Sequence, residues 1–475
     1  MTRRPTLADV AWPMLNAAAE LYRDSPRASE LLVSCLARLS EPVRIAVAGG
    51  PGTGKSTLVN ALAGELIAPI EVAGGTGVFT WYRDGTEPAA AVCPPGGPPR
   101  PVPVARRDRR LHIDLGQWQP QQVARVLVDW PARGLRDLVV VDTPATVDAA
   151  WLAGQVDAVV YVTPEPDETD LDRLRSAQDA AAWPAPAVTT ILALSRADEL
   201  GAGRIDALTS AKQIARRRRS DPAVHALCQN VIAVAGLLAS AGRTLRDDEF
   251  AALRLLSDIP RAELDVALLS GDRFANADLP LDRSARVELL DRFGVFGVRL
   301  ASTLIRRGAQ THTALAAQLV QRSGVSELRE SITRYFTDRA DVLRARSALL
   351  GLGMVLRAEP RPQATKLAAD AERAVASTHD FAELRLLSAL QTGRLTLPGG
   401  LAESAERLTG GQGIEIADRL GLDPADDLRG AAFDQLNQWR AQSESPLLGA
   451  SQQAAARTVL RSCEGMLADL APAYQ

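Results

Sequence analysis

Apolar positions recur at helical spacing from Leu7 to Leu39, and Asp24-Ser25-Pro26 interrupts them. Ser25 reads there as a cap and Pro26 as a first helical residue, so two helices are expected. A short apolar run, Ile45 to Ala48, then breaks at a glycine-rich turn, and helical spacing resumes at Thr57 through Leu58, Ala61 and Leu62. Val78 to Tyr82 is β-branched and aromatic, a strand closed by Asp84-Gly85. Gly85 to Arg110, rich in proline, glycine and arginine, reads as an irregular surface excursion. Strand-like Val123 to Val128 and Leu138 to Val141 flank Pro131 to Gly134, which predicts a hairpin. Further apolar strands fall at Val156 to Val162, Val188 to Leu194 and Val231 to Gly236, separated by helical patterns over Asp170 to Ala182 and Asp206 to Arg219.

From Leu237 onward no strand pattern occurs. A closing helix is expected to start at Gly324 and run through Tyr335 and Leu343 towards Leu356, stopped by Pro360. Helices follow over Ala364 to Leu390, Leu401 to Leu408, and Asp423 to Leu470, the last with Asp423 as cap and Pro424 as first helical residue. Strands alternating with helices, then helices alone, predict an α/β part plus an all-α neck and trunk bundle. The α/β part should be a mostly parallel sheet with helices on both faces. The expected boundaries are 1–42 for N-terminal helices of the bundle, 43–338 for the α/β part with a helical insertion at 237–323, and 339–475 for the rest of the bundle. Neither Leu7 to Leu39 nor Arg339 to Leu470 can bury its apolar faces alone, so the two should pack together. The far end of that bundle is the natural place for membrane contact, with the turn Leu397 to Gly400 as a candidate tip and an ordinary interhelix turn as the alternative.

Composition narrows the class. A chain of 475 residues is long for a single core. Apolar content of 46% and charged content of 23% are ordinary for a soluble protein. A net charge of −3 gives no electrostatic case for nucleic acid as a partner. Cys35, Cys93, Cys228 and Cys463 lie far apart, which suits a reducing cytosol. Asp9 and Pro13 break the N-terminal apolar pattern, so no signal peptide is expected, and no apolar run is long enough to span a bilayer. The cluster Arg106-Arg107-Asp108-Arg109-Arg110 reads as solvated loop charge, with contact to acidic lipid or another protein as the alternative.

The candidate chemistry begins at Gly49 to Ser56, which fits G-x-x-x-x-G-K-[ST] in a strand–loop–helix context. Gly49, Gly52 and Gly54 permit positive φ, so backbone N–H groups of the stretch Gly49, Gly50, Pro51, Gly52, Thr53, Gly54, Lys55, Ser56 and Thr57 can cradle phosphates. Lys55 would reach the β- and γ-phosphates and Ser56 would ligate Mg²⁺. Lysine is scarce here, with only Lys212 and Lys366 besides Lys55, so a chance lysine at this position is a poor explanation. Thr76, in the loop Gly74-Gly75-Thr76, has the chemistry of a γ-phosphate sensor that closes on Mg²⁺, and Thr80 is the alternative. Asp142, at a strand end in D-T-P-A, would hold the metal through water. Ser195-Arg196-Ala197-Asp198 follows another apolar strand. Asp198 there would accept hydrogen bonds from guanine N1–H and the 2-amino group, Arg196 would lie on the base, and the loop at Ala235 would complete the pocket. GTP and Mg²⁺ are therefore the expected ligands.

The order G-G-P-G-T-G-K-S-T, Thr76, D-T-P-A, S-R-A-D and V-A-V-A-G is similar to that of the dynamin-like GTPases. The phrases S-R-A-D-E-L-G-A-G-R-I-D-A, L-L-S-G-D-R-F and R-F-G-V-F-G-V-R-L resemble the isoniazid-inducible dynamin-like proteins of mycobacteria and related actinobacteria, from about residue 30 to the C-terminus. The resemblance implies a cytosolic GTPase whose helical part acts peripherally at the inner face of the plasma membrane. It also implies guanine-nucleotide-driven self-association, or pairing with a related dynamin-like protein, and remodelling of an anionic membrane surface. Three departures bear on turnover. Pro51 and Gly52 stand where dynamins carry a polar glutamine and serine, and the segment after Ala145 is short. Ala145 itself replaces the glycine of D-T-P-G, although its N–H still suits the γ-phosphate. Slow basal hydrolysis is expected. A remodelling-type ATPase and a nucleotide-binding scaffold without turnover are the two alternatives.

Overall fold

The computed structural model describes residues 6–68, 77–107, 110–145, 147, 152, 154–179 and 188–470. Thr76 and the glycines before it lie outside the described residues. The strands are β1 (Val43–Ala48), β2 (Phe79–Asp84), β3 (Ala89–Cys93), β4 (Arg100–Val102), β5 (Val104–Arg107), β6 (Arg110–Ile113), β7 (Arg125–Trp130), β8 (Leu138–Asp142), β9 (Ala158–Thr163), β10 (Thr190–Leu194) and β11 (Asn230–Ala233). All but β5 and β6 form one sheet in the order β11-β10-β9-β1-β8-β2-β7-β3-β4. From β11 to β8 every pairing is parallel, and the antiparallel contacts are confined to β2–β8, β7–β3 and β3–β4.

The central strands are buried on both sides, and the period of two sends alternate residues to different cores. Val43, Ile45 and Val47 of β1 join one cluster, while Ala46 and Ala48 join another. On the first face lie α3 (Lys55–Ala63) and the helix that follows Gly324; on the second lie α4 (Glu168–Asp179) and α5 (Ala207–Arg219). The fold is thus a mostly parallel sheet with helices on both faces, joined to a large all-helical part.

Two sequence expectations fail in the sheet. Val123 to Val128 and Leu138 to Val141 do not form a hairpin, because β2 inserts between β7 and β8. Trp81 of β2 is buried, with the Arg44 and Arg125 guanidinium groups over its ring at 4.8 and 4.7 Å, so strands distant in sequence hold it there. Gly85 to Arg110 is not irregular either. It supplies β3, which gives the sheet a further antiparallel pairing, the edge strand β4, and the start of the separate β5–β6 ribbon.

After β11 the described residues are helical. Helices α6 (Gly236–Arg243), α7 (Asp247–Asp258), α8 (Arg283–Arg306) and α9 (His312–Arg322) surround their own core, which includes Leu253, Phe274, Phe293 and Leu319. Helix α10 (Val325–Ile332) returns to the sheet and passes through a π-turn at Thr333–Thr337 into α11 (Ala340–Ala358). The expected closing helix is therefore broken rather than continuous. Then come α12 (Thr365–Ser377), α13 (His379–Gln391), α14 (Leu401–Leu408), α15 (Leu428–Ser443) and α16 (Ala450–Asp469). Asp423-Pro424 does not start the last helix. Asp427 caps α15 through Gly430, and the chain turns between Ser443 and Ala450 to pair α15 with α16.

Helices α1 (Leu7–Leu21) and α2 (Pro26–Arg38) pack on α11. Ser25 caps α2 and Pro26 is its first residue, as the spacing predicts. Tyr22 is fully buried, donates to the Glu359 carbonyl at 2.7 Å and lies 4.3 Å beneath the Arg361 guanidinium. The turn Leu397 to Gly400 is not an exposed apolar tip, because Leu397 is buried against the α13–α16 core and Leu395 packs beside it.

This packing predicts the weight of α1. Leu15→Ala, at a fully buried position, should lower stability by about 2–5 kcal/mol, while Trp12→Ala on the exposed face should stay within about 0.5 kcal/mol. Urea unfolding followed by fluorescence and circular dichroism measures both, and equal midpoints for the two variants would contradict the arrangement.

Candidate functional site

The site lies at the carboxyl end of β1, between β8 on one side and β9 on the other, where ligands gather in open α/β sheets. The loop after β1 turns on three glycines with positive φ: Gly49 (151°), Gly52 (68°) and Gly54 (91°). Gly49 has a second reason to lack a side chain, since a Cβ there would overlap the Val162 carbonyl oxygen at the end of β9. Helix α3 begins immediately at Lys55, so its free N–H groups face the loop. Gly50, Thr53 and Lys55 are buried, Pro51 and Gly52 are exposed, and Ser56 and Thr57 are intermediate.

Lys55 folds back over the loop, its Nζ donating to the carbonyls of Gly49 at 3.1 Å and Gly50 at 2.8 Å. Thr53 Oγ1 donates to the Gly50 carbonyl at 3.0 Å and stiffens the same turn. Burial lowers the Lys55 pKa, and the nearby Asp142 charge opposes that shift. The parallel register of β1 and β8 sets Val47 opposite Asp142, which brings the acid beside the loop. Ser56 Oγ donates to Asp142 Oδ2 at 2.7 Å. Burial raises the Asp142 pKa to about 6, against the Ser56 hydrogen bond and the Lys55 charge. A hydroxyl and a carboxylate in contact form the hard oxygen donor set that suits Mg²⁺. Thr80 pairs with Asp142 across β2 and β8, which puts the alternative threonine in a strand beside this acid rather than in a loop. Ala145 is intermediate in exposure and lies on the same side of the sheet as Gly49, where both border a further cavity.

A cavity of about 190 Å³ joins the Gly49–Ser56 loop to the end of β10. Gly52, Thr53, Gly54 and Thr57 line it from the loop, and Ser195, Arg196 and Asp198 line it from the other side. Asp198 is only 5% exposed, and no described side chain donates to its carboxylate. Burial raises its pKa to about 6, reinforced by Glu199 and opposed by its own backbone N–H and Arg196. Ser195 N–H is held by the Thr163 carbonyl at 2.9 Å, while its buried hydroxyl has no partner. Arg196 takes a left-handed backbone (φ 52°) and its guanidinium grips Glu199 at 2.7–2.8 Å, so in this state it faces the acid. Ala235 does not line the cavity. It is fully buried, with its N–H on the Ser323 carbonyl at 2.8 Å, and its neighbours Val234 and Gly236 line the space instead.

Sequence reasoning missed Glu199 and Leu237, which also line the cavity. Glu199 is the third residue after Arg196, a spacing that permits the ion pair, whereas Leu237 is placed by tertiary packing. Helix α8 is kinked at Gly294 (φ 65°), and a Cβ there would sit 3.5 Å from Leu237 Cδ2. Arg299 of the same helix donates to the Gly203 and Leu268 carbonyls. The phrases R-F-G-V-F-G-V-R-L and S-R-A-D-E-L-G-A-G therefore touch in space. Among the described residues no cluster of three or more His, Cys, Asp or Glu is arranged for a metal, and no helix is long and apolar enough to cross a membrane.

No protein-family model matches the chain. The isoniazid-induced protein IniC of Mycobacterium tuberculosis, in strains CDC 1551/Oshkosh and ATCC 25618/H37Rv, is 39% identical over 480 aligned positions, covering 96% of this chain and 97% of the relative. A solved structure described as "An oligomerised bacterial dynamin pair provides a mechanism for the long range sensing and tethering of membranes" aligns over 97% of this chain and 73% of that one, at 13% identity and a TM-score of 0.28. The identity to IniC extends over nearly the whole of both chains, phosphate loop and helical part alike, and on that ground this chain belongs to the family of the isoniazid-induced protein IniC.

Proposed function

We propose that this chain is a dynamin-like protein that binds GTP with Mg²⁺ and hydrolyses it to GDP and phosphate. The observation that carries the reading is Asp198. It is a buried carboxylate without a side-chain donor, in one cavity with the phosphate loop. Guanine supplies two donors to such an acceptor, at N1 and the 2-amino group, whereas adenine offers an acceptor at N1 and no 2-amino group. Gly49 to Thr57 would hold the phosphates, with Ala145 adding an N–H at the last one. Ser56, Asp142 and Thr76 are the proposed oxygen ligands of Mg²⁺, which when bound neutralises phosphate charge. Lys55 would release the Gly49 and Gly50 carbonyls to reach the β- and γ-phosphates. Arg196 would exchange Glu199 for the base, beside Ser195 and the backbone around Ala235. Pro51 and Gly52 are exposed and offer no polar side chain to orient water, so basal turnover is slow. The order of motifs and the flanking phrases support a further part of the reading. Nucleotide state would govern self-association, or pairing with a related dynamin-like protein, at an anionic membrane surface on the cytoplasmic side.

The base preference is tested by calorimetry. GTP should bind more tightly than ATP by about tenfold or more, since an unmatched buried acceptor costs about 1–3 kcal/mol and a charged one more. Asp198→Asn should weaken GTP and favour xanthosine triphosphate, and equal affinity of the wild type for ATP and GTP would end the GTP reading.

The raised Asp198 pKa gives a pH dependence whose sign can be worked out. Below about pH 6 the free protein carries a proton on Asp198 that guanine must displace, so Mg²⁺-free GDP affinity should fall by up to about tenfold per pH unit from 6 to 5. The ratio of wild-type to Asp198→Asn affinity isolates this effect from phosphate ionisation, and a ratio constant with pH would refute it. For the free protein the linkage runs the other way. The folded state keeps a proton that the unfolded chain releases above 3.8, so this group's contribution to stability falls as pH rises towards about 6.

Lys55→Ala should abolish tight triphosphate binding, whereas Thr76→Ala should leave binding intact and remove turnover. Phosphate release alongside fluorescent-nucleotide titration separates these outcomes. Undiminished turnover in Thr76→Ala would shift the assignment to Thr80.

A further inference from the structure

A second cavity, of about 340 Å³, lies between β9 and α4. It meets the outer side of the phosphate loop at Gly49 and Ala145, and Arg346 of α11 lines it near the start of β9. Its apolar wall comes from Val147, Leu152, Val156, Val159 and Leu174. From Asp157, just before β9, to Tyr161 within it, the wall runs about 13 Å at roughly 3.3 Å per residue.

Arg346 is the unusual member. It is 8% exposed, its Nε has no hydrogen-bond partner, and no described carboxylate lies within ion-pair distance of it. The acid nearest in character, Asp157, is already committed: it accepts from Arg38 Nη2 at 2.7 Å and from the Arg44 N–H at 2.8 Å. Arg44 in turn pairs with Glu41. Three arginines thus share two acids, and the uncompensated charge is on Arg346. Burial lowers its pKa to about 10, with Asp157 opposing, so the group is cationic at neutral pH. A buried cation without a counter-ion is costly, and an anion reaching it would offset that cost.

We infer that this cavity binds a small anionic amphiphile, a medium-chain carboxylate whose head group sits on the Arg346 guanidinium and whose chain lies along the apolar wall. The planar guanidinium fork matches a carboxylate through two parallel hydrogen bonds. The wall disfavours a bare inorganic anion, and a volume near the lower end of ligand cavities, which span about 300–1,000 Å³, suits a short chain rather than a whole lipid.

Calorimetry on the full-length protein tests this with three probes: decanoate, decanol and inorganic phosphate. Decanoate should bind with one-to-one stoichiometry, decanol at least about tenfold more weakly for want of the charge-assisted contact, and phosphate should not displace decanoate. Arg346→Met, which keeps the apolar stem, should weaken decanoate at least about tenfold. Ala177→Trp, on the half-buried side of α4 that borders the cavity, should fill the space and abolish binding with the circular dichroism spectrum retained. Absence of decanoate binding, equal affinity for decanol, or decanoate binding unchanged in Ala177→Trp would each overturn the proposal. If Arg346→Met does not fold, the decanoate–decanol comparison on the wild type and Ala177→Trp still decide it.

Discussion

The buried contact of Arg38 with Asp157 joins parts of the chain that sequence keeps far apart. At 2.7 Å, with side chains 4% and 1% exposed, it ties the end of α2 to the residue before β9. The second Asp157 oxygen takes the Arg44 N–H at the start of β1. Burial alone would raise the Asp157 pKa, but the Arg38 charge and the Arg44 N–H outweigh it and hold the carboxyl below its ordinary value. Removing one partner of such a pair would strand the other charge in a dry interior, at a cost of about 3–5 kcal/mol. The relation of the N-terminal helices to the two central strands depends on this contact, and α11 closes over it from the other side.

What could be read in the sequence is what local chemistry dictates. The Gly49–Ser56 loop, the Ser25 cap with Pro26, and the strands around β1, β9 and β10 each carry their signal within a few residues, and the structure places them accordingly. The failures are non-local. The spacing of β7 and β8 around Pro131 to Gly134 looks like a hairpin, yet β2, 45 or so residues earlier, takes the place between them through Trp81. Alanine- and proline-rich β3 and β4 lack the β-branched signature because they lie towards the edge of the sheet, where packing asks less of them. Asp423-Pro424 carries a helix-start signal that Asp427, one turn later, actually fulfils. In the site, residue types were legible and orientations were not: nothing in S-R-A-D says that Arg196 turns to Glu199 or that Ala235 faces away.

The helical insertion is not a decoration on the sheet. The kink of α8 at Gly294 passes Leu237 at the edge of the cavity that Asp198 lines, and Arg299 ties the Gly203 carbonyl after Asp198 to the Leu268 carbonyl. The acid proposed to read the base and the core built around Phe293 are therefore mechanically linked.

The pairing of Tyr22 with Glu359 spans 337 positions, and it sets an order on synthesis. Helices α1 and α2 leave the ribosome well before α11, which is made only after the sheet and helices α6 to α9. For that whole interval Leu7, Leu15 and Leu32 lack the α11 side of their core, at a pace of about 5–20 residues per second. The nascent chain thus carries an incompletely covered apolar stripe for tens of seconds, a target for a holding chaperone near the tunnel exit.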